Sequence, residues 1–169
     1  YQEKKHSLNL DAWKKVVKRY KSTSQKVNIA VVGKYTDLKD SYKSLNEALN
    51  HGGFYNKAKV EINWINAEKV KIKDMLKELK NSNAILVPGG FGERGIKGKL
   101  FSITYARENN IPFFGICLGM QLAVIEIARN ILNVKNANST EFSKTTNPVV
   151  GLMTEWSKDN IKILRSLNS

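Results

Sequence analysis

Apolar positions in this chain follow two rhythms. Trp13, Val16, Val17 and Tyr20 recur at helical spacing within a polar stretch, which predicts a short amphipathic helix over Asn9–Tyr20 capped by Asn9 or Asp11. Lys21-Ser-Thr-Ser-Gln25 has no period and reads as a linker, so we divide the chain into a connector, 1–25, and a compact domain, 26–169. From Val27 the rhythm changes. Val27-Asn-Ile-Ala-Val-Val-Gly33 is a continuous β-branched run ending in glycine, as expected for a strand buried on both faces of a parallel sheet. Asp40 or Ser41 caps a predicted helix through Tyr42, Leu45, Ala48 and Leu49 that stops at His51-Gly52-Gly53. A strand at Lys59–Ile65, a helix through Val70, Ile72, Met75, Leu76 and Leu79, and a short strand at Ala84–Val87 follow. A helix from Lys97 to Asn109, a strand at Pro112–Ile116 and a helix through Leu122, Val124, Ile125 and Ala128 complete the series. This βαβα order predicts an α/β fold, a doubly wound and mainly parallel sheet with helices on both faces, whose ligands sit at the carboxyl ends of the strands.

Composition narrows the class. With 169 residues, 41% of them apolar and 25% charged, the chain is long enough for one sizeable core and short for two. It has no run near the roughly 18 apolar residues that span a bilayer and no apolar signal region, so a soluble, cytoplasmic protein without membrane contact is expected. One cysteine cannot build an internal disulfide or a zinc cluster, and no metal site is expected. The net charge of +13 raises the possibility of a nucleic-acid partner. Its distribution argues otherwise: Tyr1 to Lys26 holds eight basic against two acidic residues, and Lys rather than Arg supplies 23 of the 28 cations. Solvated lysines on helix faces account for the charge better than phosphate recognition does.

Two segments carry candidate chemistry, and both fall at the carboxyl edge of the sheet. Gly115-Ile-Cys117-Leu-Gly119-Met-Gln121 joins a buried strand to an amphipathic helix, with glycines two residues either side of the cysteine. That is the layout of a nucleophile elbow. The helix N-terminus would favour a thiolate at Cys117, and free N–H groups there, that of Leu118 above all, could stabilise an oxyanion. A lone cysteine is more often a buried space-filler, but this position between two glycines favours a nucleophile. The second segment, Val87-Pro-Gly-Gly-Phe-Gly-Glu-Arg-Gly95, contains a literal G-x-G-x-x-G at Gly90, Gly92 and Gly95. A dinucleotide site would need an acidic residue ending the next strand, and that strand ends in Gly115-Ile-Cys117 instead. We read the segment as a glycine-rich strip of backbone beside Cys117. A thiol nucleophile also needs a base, and the only imidazoles, His6 and His51, read as solvated or structural.

Taken together, Gly115-Ile-Cys-Leu-Gly-Met-Gln121 and Pro88-Gly-Gly-Phe-Gly92 resemble the glutaminase domain of class I glutamine amidotransferases. Val32-Gly-Lys-Tyr35, Asp40 to Leu49, Phe91 to Gly95, Ala106 to Asn109, Asn136-Ala-Asn-Ser-Thr-Glu-Phe142 and Met153 to Trp156 narrow the resemblance to the CTP synthase branch of that family. It implies that Cys117 attacks the side-chain amide of glutamine to form a glutamyl thioester. The N–H groups of Gly90 and Leu118 would line the oxyanion hole, and Gly119, Met120, Gln121 and Glu141 would contact glutamine, Glu141 through the α-amino group. The parent reaction implied is ATP-dependent amination of UTP to CTP. ATP and magnesium would belong to a synthetase domain absent from this chain, which the Trp13 segment would connect, in a homotetramer.

The same resemblance places an arginine for the glutamine carboxylate and a His-x-Glu pair beyond the region matched here; Arg165 falls too early to be that arginine. The expectation is therefore an incomplete glutaminase domain with little activity alone. The competing expectation is an amidotransferase-like binding module without catalysis, its basic lead-in contacting a partner.

Overall fold

The computed structural model describes residues 9–22, 25–34, 39–151, 153, 155–158 and 161–164. Four strands form one parallel sheet: β1 (Gln25–Gly33), β2 (Ala58–Asn66), β3 (Ala84–Val87) and β4 (Phe113–Gly115), in the order β2-β1-β3-β4. β1 runs beside β2 along its full length, from Gln25 opposite Ala58 to Gly33 opposite Asn66. The pleat explains the apolar runs. Ala30, Val32, Ile65, Ile85 and Val87 face the main core, while Val31 and Leu86 point to the opposite face and are buried as well. Both faces are thus covered, as a doubly wound sheet requires.

Helices α1 (Asp11–Lys21), α2 (Lys43–Tyr55), α3 (Ile72–Lys80), α4 (Ile96–Glu108) and α5 (Leu118–Asn130) alternate with these strands. α3 contributes Met75 and Leu79 to the core, α4 Ile103 and Ala106, and α5 Leu118, Leu122 and Ile125. A partly buried ion pair ties α4 to α5. Arg107 Nε donates to the Glu126 carboxylate at 2.9 Å, and Asn130 donates to the same group at 2.8 Å. The Glu126 hydrogen bond and nearby carboxylates push the Arg107 guanidinium further above its ordinary pKa.

Three expectations change. The helix expected to stop at His51-Gly52-Gly53 runs on to Tyr55, because Gly53 is a packing glycine: a methyl there would lie 2.6 Å from the Ala58 carbonyl oxygen and 2.8 Å from Val60. The chain leaves α2 through Lys57, at φ 56°. The first helix begins at Asp11 with Leu10 at its N-cap position and no side-chain cap; Asn9 accepts from the Asp11 N–H instead. Finally, the region after α5, for which the hydrophobic pattern named no element, contains β5 (Ala137–Ser139) paired parallel with β6 (Asn147–Val150) and an antiparallel pair, β7 (Glu155–Lys158) and β8 (Ile161–Leu164).

β2 and β3 lie on opposite sides of β1, so the winding reverses between β1 and β3. The crevice for a ligand opens outside the carboxyl ends of those strands. Lys34 and the strip Pro88-Gly89-Gly90 lie there. Among the described residues no helix is long and apolar enough to cross a membrane, and no group of three or more His, Cys, Asp or Glu could hold a metal ion.

Candidate active site

Cys117 stands between β4 and α5 with φ 51° and ψ −110°, a conformation that costs a non-glycine residue about 1–3 kcal/mol and persists only where its surroundings enforce it. Two glycines enforce it here. A methyl on Gly115 would lie 2.5 Å from the backbone of Gly119, and a methyl on Gly119 would collide with the Val87 carbonyl of the adjacent strand. Ile116 N–H donates to that same carbonyl at 3.0 Å, Gly119 N–H to Ile116 at 2.9 Å, and Gln121 N–H to the Cys117 carbonyl at 3.1 Å. The turn is therefore closed on itself and locked to β3. The thiol-bearing residue stays exposed.

The glycine strip lies alongside. A methyl built on Gly89 would touch the Cys117 Cβ at 3.4 Å, and one built on Gly90 would lie 3.6 Å from Leu118 Cδ2. The N–H groups of Gly90 and Leu118 have no acceptor among the described residues. Beside a thiol, two such donors can receive an oxygen that becomes negative. Gly92 and Gly95 have φ of 71° and 78°, Gly95 forming the entry to α4. The strip thus curves away from the elbow into a helix, without the strand-ending acid that a dinucleotide site would require.

Three further groups converge on the strip. Glu141 Oε1 accepts the Gly92 N–H at 3.2 Å, which brings the carboxylate across 49 residues of sequence to the edge of the site. The turn that carries it is well anchored: Ser139 Oγ accepts the Glu141 N–H at 3.1 Å, and Phe142 is buried in the main core. From β1, Lys34 Nζ donates to the Phe91 carbonyl at 3.2 Å, and its backbone N–H donates to the Tyr42 hydroxyl. Lys99 rises from α4 to place Nζ 3.5 Å from where a Gly90 methyl would be. It is only 1% exposed, and burial, reinforced by the Lys34 charge, pushes its pKa down.

Of the residues singled out from sequence, Cys117, Gly90, Leu118, Gly119 and Glu141 come together in this way. Gln121 is half-buried on the first turn of α5, and Met120 is exposed on the same turn. His51 lies on α2, where its ring neighbours Phe54 at 6.2 Å, and α2 packs on β2 and α1 rather than on the elbow. His6, Tyr35 and Arg165 lie outside the described residues. Lys99 escaped the sequence reading. Its signal was positional: it shares the buried face of α4 with Ser102, Ile103 and Ala106, a core position occupied by a cation.

Residues 37–164 match the family described as glutamine amidotransferase class-I. The chain belongs to that family. Among relatives of this amidotransferase, the CTP synthase of Pelagibacter ubique is 55% identical over 159 residues, covering 94% of this chain and 30% of the relative. That of Agrobacterium fabrum is 55% identical over 151 residues, covering 89% of this chain and 28% of the relative. The chain spans less than a third of the length of these relatives. The solved glutaminase domain of Trypanosoma brucei CTPS with bound acivicin superposes with a TM-score of 0.69 and 40% identity, over 75% of this chain and 50% of that one.

Proposed function

We propose that this amidotransferase chain is the glutaminase part of a CTP synthase and that it supplies ammonia from glutamine for ATP-dependent amination of UTP to CTP. The observation that carries the reading is the strained Cys117, exposed beside two N–H groups that have no acceptor among the described residues. The similarity to CTP synthases over most of the chain supports the choice of branch.

In this reading the Cys117 thiolate attacks the side-chain carbonyl carbon of glutamine. The C=O π pair moves to oxygen, and the N–H groups of Gly90 and Leu118 receive the oxyanion. Collapse of that intermediate re-forms the carbonyl and breaks the C–N bond, with a proton delivered to nitrogen so that ammonia leaves. Water then adds to the thioester, and glutamate and free thiol result. Glu141 holds the substrate ammonium; a carboxylate at this edge selects an amino acid over a simple amide. Gly119, Met120 and Gln121 complete the wall of the glutamine site.

The protons require a base and acid. Among the described residues no imidazole neighbours Cys117, so we propose that this chain alone turns over slowly and that full activity draws on further residues of the protein. Residues 1–25 act as a connector to a synthetase domain, with the exposed Trp13, Val16 and Val17 on one side of α1. ATP and magnesium belong to that domain, and no residue of this chain is assigned to them. The homotetramer is likewise proposed for the whole protein.

The test is acid-quench trapping with labelled glutamine, using the full natural protein that carries this chain. Label should appear on the protein in a one-to-one amount and vanish in Cys117→Ser, together with glutamate release. Glutamate release that survives Cys117→Ser would sink the reading.

A further inference from the structure

Lys99 is a buried titratable side chain beside the elbow to which the thioester chemistry above gives no work. It sits one turn into α4, where Gly98 lies so close against the Ala67 carbonyl that any side chain there would collide. This contact fixes the start of the helix over the end of β2 and turns Lys99 inward, beneath the strip. Its stem runs with Ser102, Ile103 and Ala106 in the core, and its ammonium comes up under Gly90, on the same spot that Leu118 Cδ2 approaches.

A buried cation is normally matched by a carboxylate. Among the described residues none pairs with Lys99, and the charged group it feels most is another cation, Lys34. The first turns of α4 and α5 add the positive ends of two helix dipoles. Lys34 and the two helix ends thus make the immediate surroundings of Lys99 electropositive, while the Glu141 carboxylate is held at Gly92; this disfavours the charged ammonium in the free protein and favours any state in which negative charge develops above Gly90.

We propose that Lys99 is a positioning residue for thioester formation: its ammonium under Gly90 sets the potential at the strip, so that the oxyanion is stabilised more than the neutral amide of bound glutamine. The inference rests on the glutaminase reading. Interactions stronger in the transition state than in the ground state raise kcat and leave KM nearly unchanged. The unmatched charge also costs stability in the free protein. Replacement of Lys99 by an apolar residue of similar length should therefore move rate and stability in opposite directions, which a residue serving only the fold cannot do.

The experiment compares Lys99→Met, Lys99→Gln and Lys97→Met in the full natural protein, by glutamate release and by thermal melting. Lys97 is exposed on the same helix two residues earlier and controls for bulk charge. Both Lys99 variants should lose kcat by about tenfold or more with KM for glutamine within about threefold, while Lys97→Met stays within about twofold of wild type. Lys99→Met should melt no earlier than wild type. Unchanged kcat in the Lys99 variants, an equal loss in Lys97→Met, or a lower melting point for Lys99→Met would each overturn the proposal while leaving the glutaminase reading intact. A wild-type protein that releases no glutamate would overturn both.

Discussion

The carboxylate of Glu141 takes the backbone N–H of Gly92 at 3.2 Å, so a turn beyond α5 and the strip beyond β3 meet through this hydrogen bond. In the proposed chemistry this bond joins the group that would recognise the substrate ammonium to the strip that would receive the oxyanion.

Glu141→Gln keeps an oxygen for Gly92 but removes the charge. Its expected effect is a rise of about tenfold or more in KM for glutamine, since charge-assisted bonds contribute roughly 1.5–3 kcal/mol, with an unaltered melting point. Steady-state glutamate release checks it. An unchanged KM would remove Glu141 from substrate recognition.

Gly119→Ala should be among the most destabilising single changes in the chain. The added methyl meets the Val87 carbonyl, part of the sheet's own backbone, and neither side can yield without separating α5 from β3. A loss on the order of 3 kcal/mol in urea unfolding is expected. A midpoint close to wild type would mean that the elbow can relax.

The alkaline behaviour of stability has a definite sign. Lys99 has a lowered pKa in the folded chain, burial being the first cause and the Lys34 charge the second. Between the folded and unfolded values the unfolded chain holds the extra proton, so stability rises with pH through that window. Below the folded value the full penalty of the buried charge is present. Urea midpoints measured from neutral to alkaline pH should show this rise, and Lys99→Met should flatten it.

Removing Arg107 should cost more than removing a surface cation. Arg107→Met leaves the carboxylate of Glu126, itself 1% exposed, with Asn130 as its remaining donor. Lys162→Met breaks the exposed pair with Glu155 and should change little. Thermal melts of the two variants side by side decide the matter; equal shifts would contradict it.

Much of this arrangement was legible in the residues. Val27 to Gly33 and Ala84 to Val87 announce themselves because strands covered on both faces have few polar positions to blur the run, Asn28 being the one here. The elbow is legible because its glycines stand where a tight turn needs them. The end of α2 was not, since Gly53 resembles a stop signal and serves instead as a point of close approach to Ala58. β5 and β6 lacked a local signal: Ala-Asn-Ser and Asn-Pro-Val-Val are short and have weak strand preference, although they pair with each other only about ten residues apart. Glu141 carries no local signal and was singled out by the family resemblance alone, because its place depends on Ser139 and Phe142 holding one turn. Lys99 was hidden by its type, since a lysine in a lysine-rich chain reads as exposed.

The lock between Gly119 and Val87 also bears on how the site could be altered. A nucleophile fastened to the central sheet offers no freedom for accommodating a different substrate, and substitutions within 115–119 would disturb the architecture before they changed selectivity. Adaptability has to come from segments that pair with no strand of that sheet, the strip at 88–95 and the turn at 140–146. Laboratory evolution toward other amides should accumulate its changes in those two segments and leave the elbow untouched.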